Sequence, residues 1–338
     1  MKNSIAAFIL LSFGLMAATV PSLTKVGLEY PESWPEPVYD FIKSPLTKEG
    51  IALGRKLFYD PILSADSTIS CSNCHLSFTA FTHVDHDLSH GIRDSIGTRN
   101  SAALMNLAWS KKLMWDGAVN HIDMQALAPI THPAEMGEDL NNVLKKLQRT
   151  HTYPSLFQIV FGDSMITGEH LLKALSQFQL TLVSANSKYD KMKRGEVSYS
   201  EQEESGYELY KANCNTCHQE PLFTNGEFEN TGLQVDSTLN DYGRMLITKN
   251  PKDSLLFKVP TLRNIEFSYP YMHDGRFKTL RQVLNHYSED ISSSQTLAYE
   301  LENGIPLTSN EKVDLTAFLL TLTDKEFLFN PEFSFPRN

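Results

Sequence analysis

The sequence predicts a mainly α-helical protein built from two similar halves. Three observations support this prediction. Apolar residues recur at helical spacing in several segments, whereas the alternation typical of strands is sparse. One five-residue motif occurs twice, at 71–75 and again at 214–218. The length of 338 residues is enough for about two domains.

Both copies of the motif read C-x-x-C-H, and together they contain all four cysteines of the chain. The spacing is typical of covalent haem attachment, because two nearby thiols can add to the two vinyl groups of one porphyrin. The histidine that follows then lies under the iron as its proximal ligand. The predicted haem-binding residues are Cys71, Cys74 and His75 in the first copy and Cys214, Cys217 and His218 in the second. The fold class is therefore mainly α, with two cytochrome c-like domains that each bind one haem c and carry long loops.

Two other chemistries use closely spaced cysteines. A four-cysteine zinc site fits the C-x-x-C spacing, but it does not call for a histidine directly after each pair. A catalytic disulfide would need a thioredoxin-like βαβ pattern, which the sequence does not show. Two haems account for every cysteine and for both histidines.

The composition is that of a globular protein, with 41% hydrophobic and 21% charged residues, so the chain can bury a core. The formal net charge of −10 argues against a nucleic-acid partner and favours a basic protein partner.

The first twenty residues have the pattern of a secretory signal. Lys2 precedes an apolar run from Ile5 to Ala18, and small residues end the run. An uncleaved membrane anchor has a related pattern, but this run is short for a membrane span. We expect a signal peptide over 1–20 and export to the periplasm. That location also suits c-type haem, which bacteria attach outside the cytoplasm.

The helices predicted from apolar spacing and end signals cover residues 46–58, 104–115, 140–147, 171–183, 201–211, 280–287 and 312–322. Residues 79–100 are rich in His, Asp, Ser and Gly and predict a long loop. A polar stretch at 187–200 is the predicted linker, which gives an N-terminal domain over 21–195 and a C-terminal domain over 196–338. A weak repeat, G-x-x-L followed by an aromatic residue, precedes each haem motif.

Further blocks of the sequence resemble the bacterial dihaem cytochrome c peroxidases, including their methylamine-utilisation maturase (MauG-like) branch. The resemblance extends from about residue 53 to residue 322. The blocks are Leu53-Gly54-Arg55-Lys56-Leu57-Phe58, Met114-Trp115-Asp116-Gly117, Pro133-Ala134-Glu135-Met136, Val259-Pro260-Thr261-Leu262-Arg263-Asn264 and Pro270-Tyr271-Met272-His273-Asp274-Gly275. The resemblance implies an enzyme that reduces hydrogen peroxide to water with electrons from a small c-type cytochrome or a similar donor.

The resemblance also implies roles for single residues around the first haem, which is the peroxide site in this family. Glu135 matches the distal acid/base, since a carboxylate can move a proton from one peroxide oxygen to the other. Gln125 matches the residue that positions peroxide. Trp115 matches the tryptophan that bridges the two haems. The alternative for Glu135 is a solvated surface carboxylate without a role in catalysis. The alternative for Trp115 is ordinary core packing.

Many of these peroxidases carry a loop histidine that caps the first iron until the second haem is reduced. His90 is the best match, and His83 and His86 are competitors. If none of them caps the iron, the site is permanently open, as in the maturase branch.

A calcium site at the domain junction is a further implication of the resemblance. Its ligands would be Asn100 and the backbone carbonyls of Ser268 and Pro270, and calcium prefers such oxygen ligands. An ordinary loop asparagine is the alternative.

The sequence departs from the peroxidase pattern at the sixth ligand of the second iron. In the peroxidases this ligand is usually a methionine. The corresponding position here is Tyr287, and the maturase branch also has a tyrosine there. His286, Met245 and Met272 are alternative ligands. Phenolate favours ferric iron, whereas a thioether raises the potential.

Three functions remain open at this point: a dihaem peroxidase, a peroxide-driven oxidase of a protein or organic substrate, and a dihaem electron carrier without catalysis. The sequence also leaves open whether the chain is a monomer or a homodimer.

Overall fold

Helices and loops make up nearly all of the protein, whose computed structural model describes residues 22–336. The α-helices are α1 Lys48–Phe58, α2 Cys71–Cys74, α3 Ile122–Gln125, α4 Leu127–Thr131, α5 Leu140–Gln148, α6 Tyr153–Phe161, α7 Gly168–Leu180, α8 Lys188–Lys193, α9 Glu201–Asn213, α10 Met245–Thr248, α11 Leu280–Glu289, α12 Ser309–Leu320 and α13 Lys325–Leu328. Short 3-10 helices cover Pro61–Leu63, Ser77–Thr79, Ile92–Asp94, Leu107–Trp109, Pro251–Asp253 and Tyr299–Leu301. The mainly helical prediction is confirmed, while the signal peptide predicted over 1–20 lies outside the described residues.

The strands form two short antiparallel pairs within residues 22–336. β1 (Lys25–Val26) pairs with β2 (Leu46–Thr47), and β3 (Phe228–Glu229) pairs with β4 (Phe257–Lys258), with Phe228 opposite Lys258. No helix in the part of the chain that the structure describes is long and apolar enough to cross a membrane.

The helix predicted over 104–115 is wrong. This stretch is a loop with one short 3-10 helix, Leu107–Trp109. Asn106 has a left-handed backbone with φ of 57°, and its side-chain oxygen accepts the backbone N–H of Ser184 at 2.9 Å. The apolar residues that suggested a helix, such as Leu104, Leu107 and Ala108, lie in this loop and are buried in the hydrophobic core of the first half. Tertiary hydrogen bonds here replace the helical ones.

The linker predicted over 187–200 also contains unexpected structure. α8 occupies its first half, and Ser187 caps this helix through a capping box with Asp190. The carboxylate of Asp190 forms a buried ion pair with Arg263 at 2.8 Å. The ion pair therefore connects this segment to the second half of the chain. The division into domains at residue 195 stays a prediction.

In each half, the helix before the haem motif crosses a later helix at a glycine. α1 packs on α7, and α9 packs on α12. A Cβ atom on Gly54 would lie 1.9 Å from the carbonyl oxygen of Ala174, and one on Gly206 would lie 2.0 Å from that of Asp314. Glycine is required because the backbones touch at these crossings. The weak G-x-x-L repeat thus marks the same helix crossing in both halves.

The aromatic cores of the two halves are also equivalent. In each half, three aromatic rings pack against one another with centroids 5.0–6.3 Å apart, as expected for edge and tilted aromatic packing. The two triads are Phe58, Phe81 and Phe178 in the first half, and Tyr210, Phe223 and Phe318 in the second.

Two loop stretches, 99–119 and 257–277, repeat the same backbone path and lie against each other. Asn106 and Asn264 have φ of 57° and 56°, and Met114 and Met272 have φ of 68° and 73°. Each stretch ends in a bridge closed across its M-x-D-G turn. We refer to residues 99–119 and 257–277 as the seam.

Contacts across the seam are reciprocal. The backbone N–H of Asn100 donates to the carbonyl of His273 at 2.7 Å, and that of Lys258 donates to the carbonyl of Trp115 at 2.7 Å. Asn100 and Lys258 hold equivalent positions in the two stretches, as do Trp115 and His273. The halves therefore meet like the two subunits of an isologous dimer.

Candidate active site

The residues of the first haem motif line a cavity together with Gln125 and Glu135, two of the three predicted catalytic residues, whereas Trp115 lies outside it. Its empty volume is about 500 Å³, including the open mouth. The residues that line it are Phe58, Ile69, Ser70, Cys71, Cys74, His75, Leu104, Gln125, Ala126, Pro129, Glu135, Met136 and Gln179. The wall is mostly apolar with a few polar groups, which is the usual composition of a cofactor site.

His75 is held in the orientation that an iron ligand needs. Its Nδ1–H donates to the carbonyl of Phe81 at 2.7 Å, which leaves Nε2 for the metal. Burial lowers the pKa of His75 to about 4, so the ring is neutral at physiological pH, as a ligand must be. The Phe81 carbonyl points inward because this residue has a left-handed backbone, with φ of 59°.

The thiols of this motif suit covalent attachment of a porphyrin. Cys71 and Cys74 are free, both line the cavity, and burial raises their pKa to about 12 and about 11. They are therefore protonated thiols in an apolar wall, available for thioether bonds. A haem fits this set of residues.

Glu135 is the acid/base candidate and lies on the cavity wall with Gln125. Burial raises the pKa of Glu135, although His132, whose Nδ1 is 3.7 Å from the carboxylate, opposes this. The amide nitrogen of Gln125 donates to the sulfur of Met114 at 3.5 Å. This is a weak bond that a better acceptor can replace. Both polar side chains thus line the cavity that also contains His75.

The three loop histidines form a stack outside this cavity. The ring centroids of His83 and His86 are 4.9 Å apart, and those of His86 and His90 are 4.0 Å apart. None of the three is among the cavity-lining residues. The backbone near His90 nevertheless borders the pocket, because its carbonyl accepts the thiol of Cys74 at 3.3 Å.

The second motif is built in the same way. Nδ1 of His218 lies 3.2 Å from the carbonyl oxygen of Phe223 and 3.1 Å from that of Pro260, so its Nε2 is the free nitrogen. Burial lowers the pKa of His218. Burial also raises the pKa of Cys214 to about 12 and that of Cys217 to about 11.

Among the candidate sixth ligands, Tyr287 lies on α11. Burial raises the pKa of its phenol, and the thiols of Cys214 and Cys217 raise it further. His286 is turned elsewhere, since its Nε2 bonds the carbonyl of Thr231 at 2.8 Å. Met272 sits in the M-x-D-G turn with a left-handed backbone, as its counterpart Met114 does.

Because the two halves repeat, Tyr287 has a counterpart in the first half, which is Pro129. Each M-x-D-G turn is followed by a helical segment, α3–α4 in the first half and α11 in the second. Tyr287 and Pro129 both stand twelve residues after the glycine of the turn, and Pro129 lines the first cavity. Proline has no donor atom for iron. The two sites are therefore chemically unequal at the same structural position.

Trp115 lies in the seam between the two sites. Its indole N–H donates to the carbonyl of Asn100 at 2.9 Å, and its own carbonyl accepts from Lys258. The Asn100 side chain donates to the carbonyl of Asp87 at 3.0 Å. Among residues 22–336, no cluster of three or more His, Cys, Asp or Glu side chains could hold a metal ion. Calcium at Asn100, Ser268 and Pro270 stays a prediction.

The sequence analysis missed three residues that the structure brings into these sites. Pro129 and Gln179 line the first cavity, and Pro260 supplies the carbonyl at His218. Aligning the two M-x-D-G turns would have paired Pro129 with Tyr287. Gln179 lies on the apolar stripe of α7, so sequence periodicity placed it in the core.

Comparisons with known proteins match the chain to one family. The family model for di-haem cytochrome c peroxidase matches residues 48–198. The chain is 34% identical over 310 residues to methylamine utilization protein MauG of Methylorubrum extorquens, covering 88% of this chain and 84% of that protein. It is 33% identical over 298 residues to cytochrome c551 peroxidase of Nitrosomonas europaea, covering 87% and 84%. The crystal structure of a MauG-like protein associated with microbial copper homeostasis superposes with a TM-score of 0.82 at 32% identity, covering 92% of this chain and 99% of that one.

Proposed function

The chain belongs to the di-haem cytochrome c peroxidase family and is a peroxidase-type oxidoreductase, and from this we propose that it reduces hydrogen peroxide to water at the His75 site. The electrons come from a small c-type cytochrome or a similar redox protein. The observation that carries the proposal is the first cavity, which is lined by Gln125 and Glu135 as well as by His75. An electron carrier needs no such polar pair.

The bound haem supplies the redox chemistry at the iron, and the protein residues bind peroxide and move its proton. Gln125 exchanges its weak bond to sulfur for a hydrogen bond to peroxide and so orients it. Glu135, as the carboxylate, would accept a proton from one oxygen of bound peroxide and return it to the other oxygen, while the haem would supply the electrons that reduce peroxide to water. Pro129, unlike its counterpart Tyr287, supplies no side-chain ligand atom to this site.

The second site receives electrons from the donor and passes them through the seam. Tyr287 is the sixth ligand that we propose for it, because it holds the position that Pro129 holds at the first cavity, while the His286 ring bonds a carbonyl. Trp115 is the proposed bridge, since it is hydrogen bonded to both stretches of the seam.

The test is steady-state peroxide consumption by the holo-protein with a reduced c-type cytochrome, starting from oxidised and from half-reduced enzyme. We expect turnover with the cytochrome in at least one of these states. Turnover only after half-reduction would assign a capping role to a loop histidine such as His90, whereas turnover from the oxidised form would mean an open site. An electron carrier would neither consume peroxide nor bind cyanide readily.

A second candidate function is peroxide-driven oxidation of a protein or organic substrate, as implied by the MauG-like branch. Tyr287 favours it, because phenolate at the second iron stabilises the oxidised state. Oxidation of both haems by peroxide without turnover on any cytochrome would select this function and exclude the first.

We also propose export to the periplasm, with cleavage of residues 1–20, and calcium at Asn100 with the Ser268 and Pro270 carbonyls. N-terminal sequencing of the secreted protein tests the first, and metal analysis before and after treatment with EGTA tests the second. Homodimer formation is open to measurement by light scattering.

A further inference from the structure

His132 and Glu135 form a pair of titratable side chains beside the first cavity. Nδ1 of His132 lies 3.7 Å from the carboxylate of Glu135, and within residues 22–336 it is the basic group that contacts this carboxylate. The distance is longer than a hydrogen bond, but a small side-chain movement or one bridging water connects two such groups. The pair is therefore placed to exchange a proton.

A tight turn of the backbone holds this pair together. The backbone N–H groups of Glu135 and Gly137 both donate to the carbonyl of His132, at 3.0 Å and 2.9 Å. The carbonyl of Glu135 accepts the N–H of Ile92 at 2.7 Å, and the N–H of His132 donates to the carbonyl of Ala128 at 3.0 Å. All of these are bonds of the main chain, so a different side chain at position 132 leaves the turn in place.

The two side chains of the pair have different surroundings. That of Glu135 is 27% exposed and lines the cavity, whereas that of His132 is 50% exposed and does not line it. In the proposed function the cavity holds haem and peroxide. His132 therefore connects the Glu135 carboxylate to solvent without passing through the cavity.

The proposed reaction consumes protons that Glu135 alone does not supply. Reducing one hydrogen peroxide to two waters takes up two electrons and two protons. Moving a proton from one peroxide oxygen to the other adds none, so both protons enter from solvent. The other titratable side chains that line the cavity are assigned to the cofactor, because Cys71 and Cys74 attach haem and His75 binds its iron. Proton entry is thus left to Glu135 and to the group that contacts it from outside.

We infer that His132 acts through Glu135, as a positioning residue that passes protons between solvent and this carboxylate. Solvent protonates Nε2 of the neutral imidazole, Nδ1–H is then donated to the carboxylate, and the carboxyl group gives the proton to the oxygen that becomes water. The electrons come from the cytochrome donor. Histidine suits this role because it gains and loses protons near neutral pH. The inference, a proton relay through His132, rests on the proposed function and deepens it.

The test compares the His132→Gln variant with the wild-type holo-protein in steady-state peroxide turnover, in H₂O and in D₂O. Glutamine is polar and of similar size but does not titrate, so proton entry becomes slow. We expect turnover to fall about tenfold, less than the loss of about 10²–10⁴-fold for the acid/base itself, and the solvent isotope effect to increase. Added 2-methylimidazole should restore part of the rate, because it carries protons and its methyl group hinders binding to iron.

His151→Gln is the matched control, because His151 is exposed and does not line the cavity. It should keep the wild-type rate and isotope effect, with or without 2-methylimidazole. A His132→Gln enzyme that behaves like this control, or that is slower without a larger isotope effect and without rescue, would refute the relay. If His132→Gln yields no holo-protein, His132→Asn carries the same test, since asparagine does not titrate either.

Cyanide binding to the ferric holo-protein is a second readout that involves neither peroxide nor an electron donor. Cyanide enters as hydrogen cyanide and binds iron as the anion, so its proton has to leave the cavity by the same route. We expect slower association in His132→Gln than in His151→Gln, and faster association again with 2-methylimidazole.

The two assays separate the relay from the proposed function. Wild-type protein that binds cyanide but does not consume peroxide would disprove the proposed function, and the cyanide rates would then decide the relay. Equal cyanide rates in the two variants, with peroxide turnover by the wild type, would overturn the relay alone.

Discussion

At the scale of single residues, the two sites hold the histidine of the motif in the same way and differ at one other position. His75 and His218 both direct Nδ1 to a backbone carbonyl, so both are ready to bind iron through Nε2. The difference lies at one equivalent position, which is Pro129 in the first site and Tyr287 in the second. This difference at one equivalent position supports the proposed division of roles, in which peroxide binds at the His75 site and electrons enter at the His218 site.

Glu135→Gln removes the proposed acid/base and should reduce peroxide turnover by about 10²–10⁴-fold, the usual contribution of such a group. Because burial raises the pKa of Glu135 and the carboxylate is the form that accepts a proton, wild-type activity should rise with pH through a value above the ordinary glutamate pKa of about 4.3. The variant should lack this rise. Steady-state rates over a pH series check both points.

The matched control for Glu135 is Glu138→Gln, because Glu138 pairs with Lys146 at 2.8 Å and does not line the cavity. It should retain wild-type turnover and the rise with pH. Equal losses in both variants would show that the effect of Glu135→Gln is structural.

Tyr287→Met should raise the midpoint potential of the second haem, because a thioether stabilises ferrous iron and a phenolate stabilises ferric iron. Potentiometric titration followed by absorption spectroscopy measures this. Tyr299→Met, at a tyrosine that is 80% exposed, is the control. A second-haem potential that does not differ between the two variants would remove Tyr287 from the ligand set.

At the scale of elements, helix ends follow local signals. α1 begins at Lys48 because the Thr47 hydroxyl accepts the N–H of Gly50 at 3.0 Å, and α12 begins after a capping box at Thr308. The stretch 104–115 had suitable spacing but no such signal at its start. Its path is set by the hydrogen bond between Asn106 and Ser184, which sequence periodicity does not reveal.

Gly206→Ala should destabilise the protein by about 1–3 kcal/mol, the usual cost of overpacking. The gain of about 1 kcal/mol from replacing a helical glycine is smaller than this cost, because the new methyl group would lie 2.0 Å from the Asp314 carbonyl. Denaturant unfolding of the holo-protein measures the difference.

Gly27→Ala is the control for this experiment, since a Cβ atom there meets nothing within 4 Å. Its free energy of unfolding should match the wild type or exceed it slightly. If Gly206→Ala is as stable as Gly27→Ala, α9 and α12 do not cross as closely as described.

At the scale of the whole molecule, the halves are joined by reciprocal seam contacts and by buried ion pairs. Arg99 spans the seam by bonding Asp116 in the first half and Asp241 in the second. Arg263 is fully buried, bonds Asp190 and packs over the ring of Trp34 at 4.6 Å. Charged and aromatic groups hold the halves in one arrangement, which a bridge such as Trp115 requires.

Asp190→Asn should cost about 3–5 kcal/mol of unfolding free energy, because it leaves Arg263 as an unpaired buried charge. Burial would raise the pKa of Asp190, but its bonds to Arg263 and Ser187 outweigh this and hold the pKa below the usual range. The stabilisation is therefore present above about pH 3.9 and is lost as the pH falls through the lower folded-state pKa. Unfolding at neutral and acidic pH measures both effects.

A surface pair provides the contrast to Asp190. Glu196→Gln breaks an exposed contact with Arg194 at 2.6 Å and should cost much less unfolding free energy than Asp190→Asn, because solvent screens the exposed pair. A similar cost for both variants would mean that the Asp190–Arg263 pair does not stabilise the fold.

The sequence by itself determined the features that depend on local spacing. Two C-x-x-C-H motifs, the capped helices and the repeated glycine before each motif are all readable within short segments, because thiol spacing, capping and helical periodicity act over a few residues. The family also followed from the sequence, because its blocks are contiguous.

Only the tertiary structure decided which distant residues meet. Gln125 on α3 and Glu135 in the loop after α4 line one cavity with His75, although they are far from it in the sequence. The path of 104–115 and the seam depend on hydrogen bonds between residues far apart in the chain. Such contacts follow from how packed elements share space, and no local pattern along the sequence encodes them.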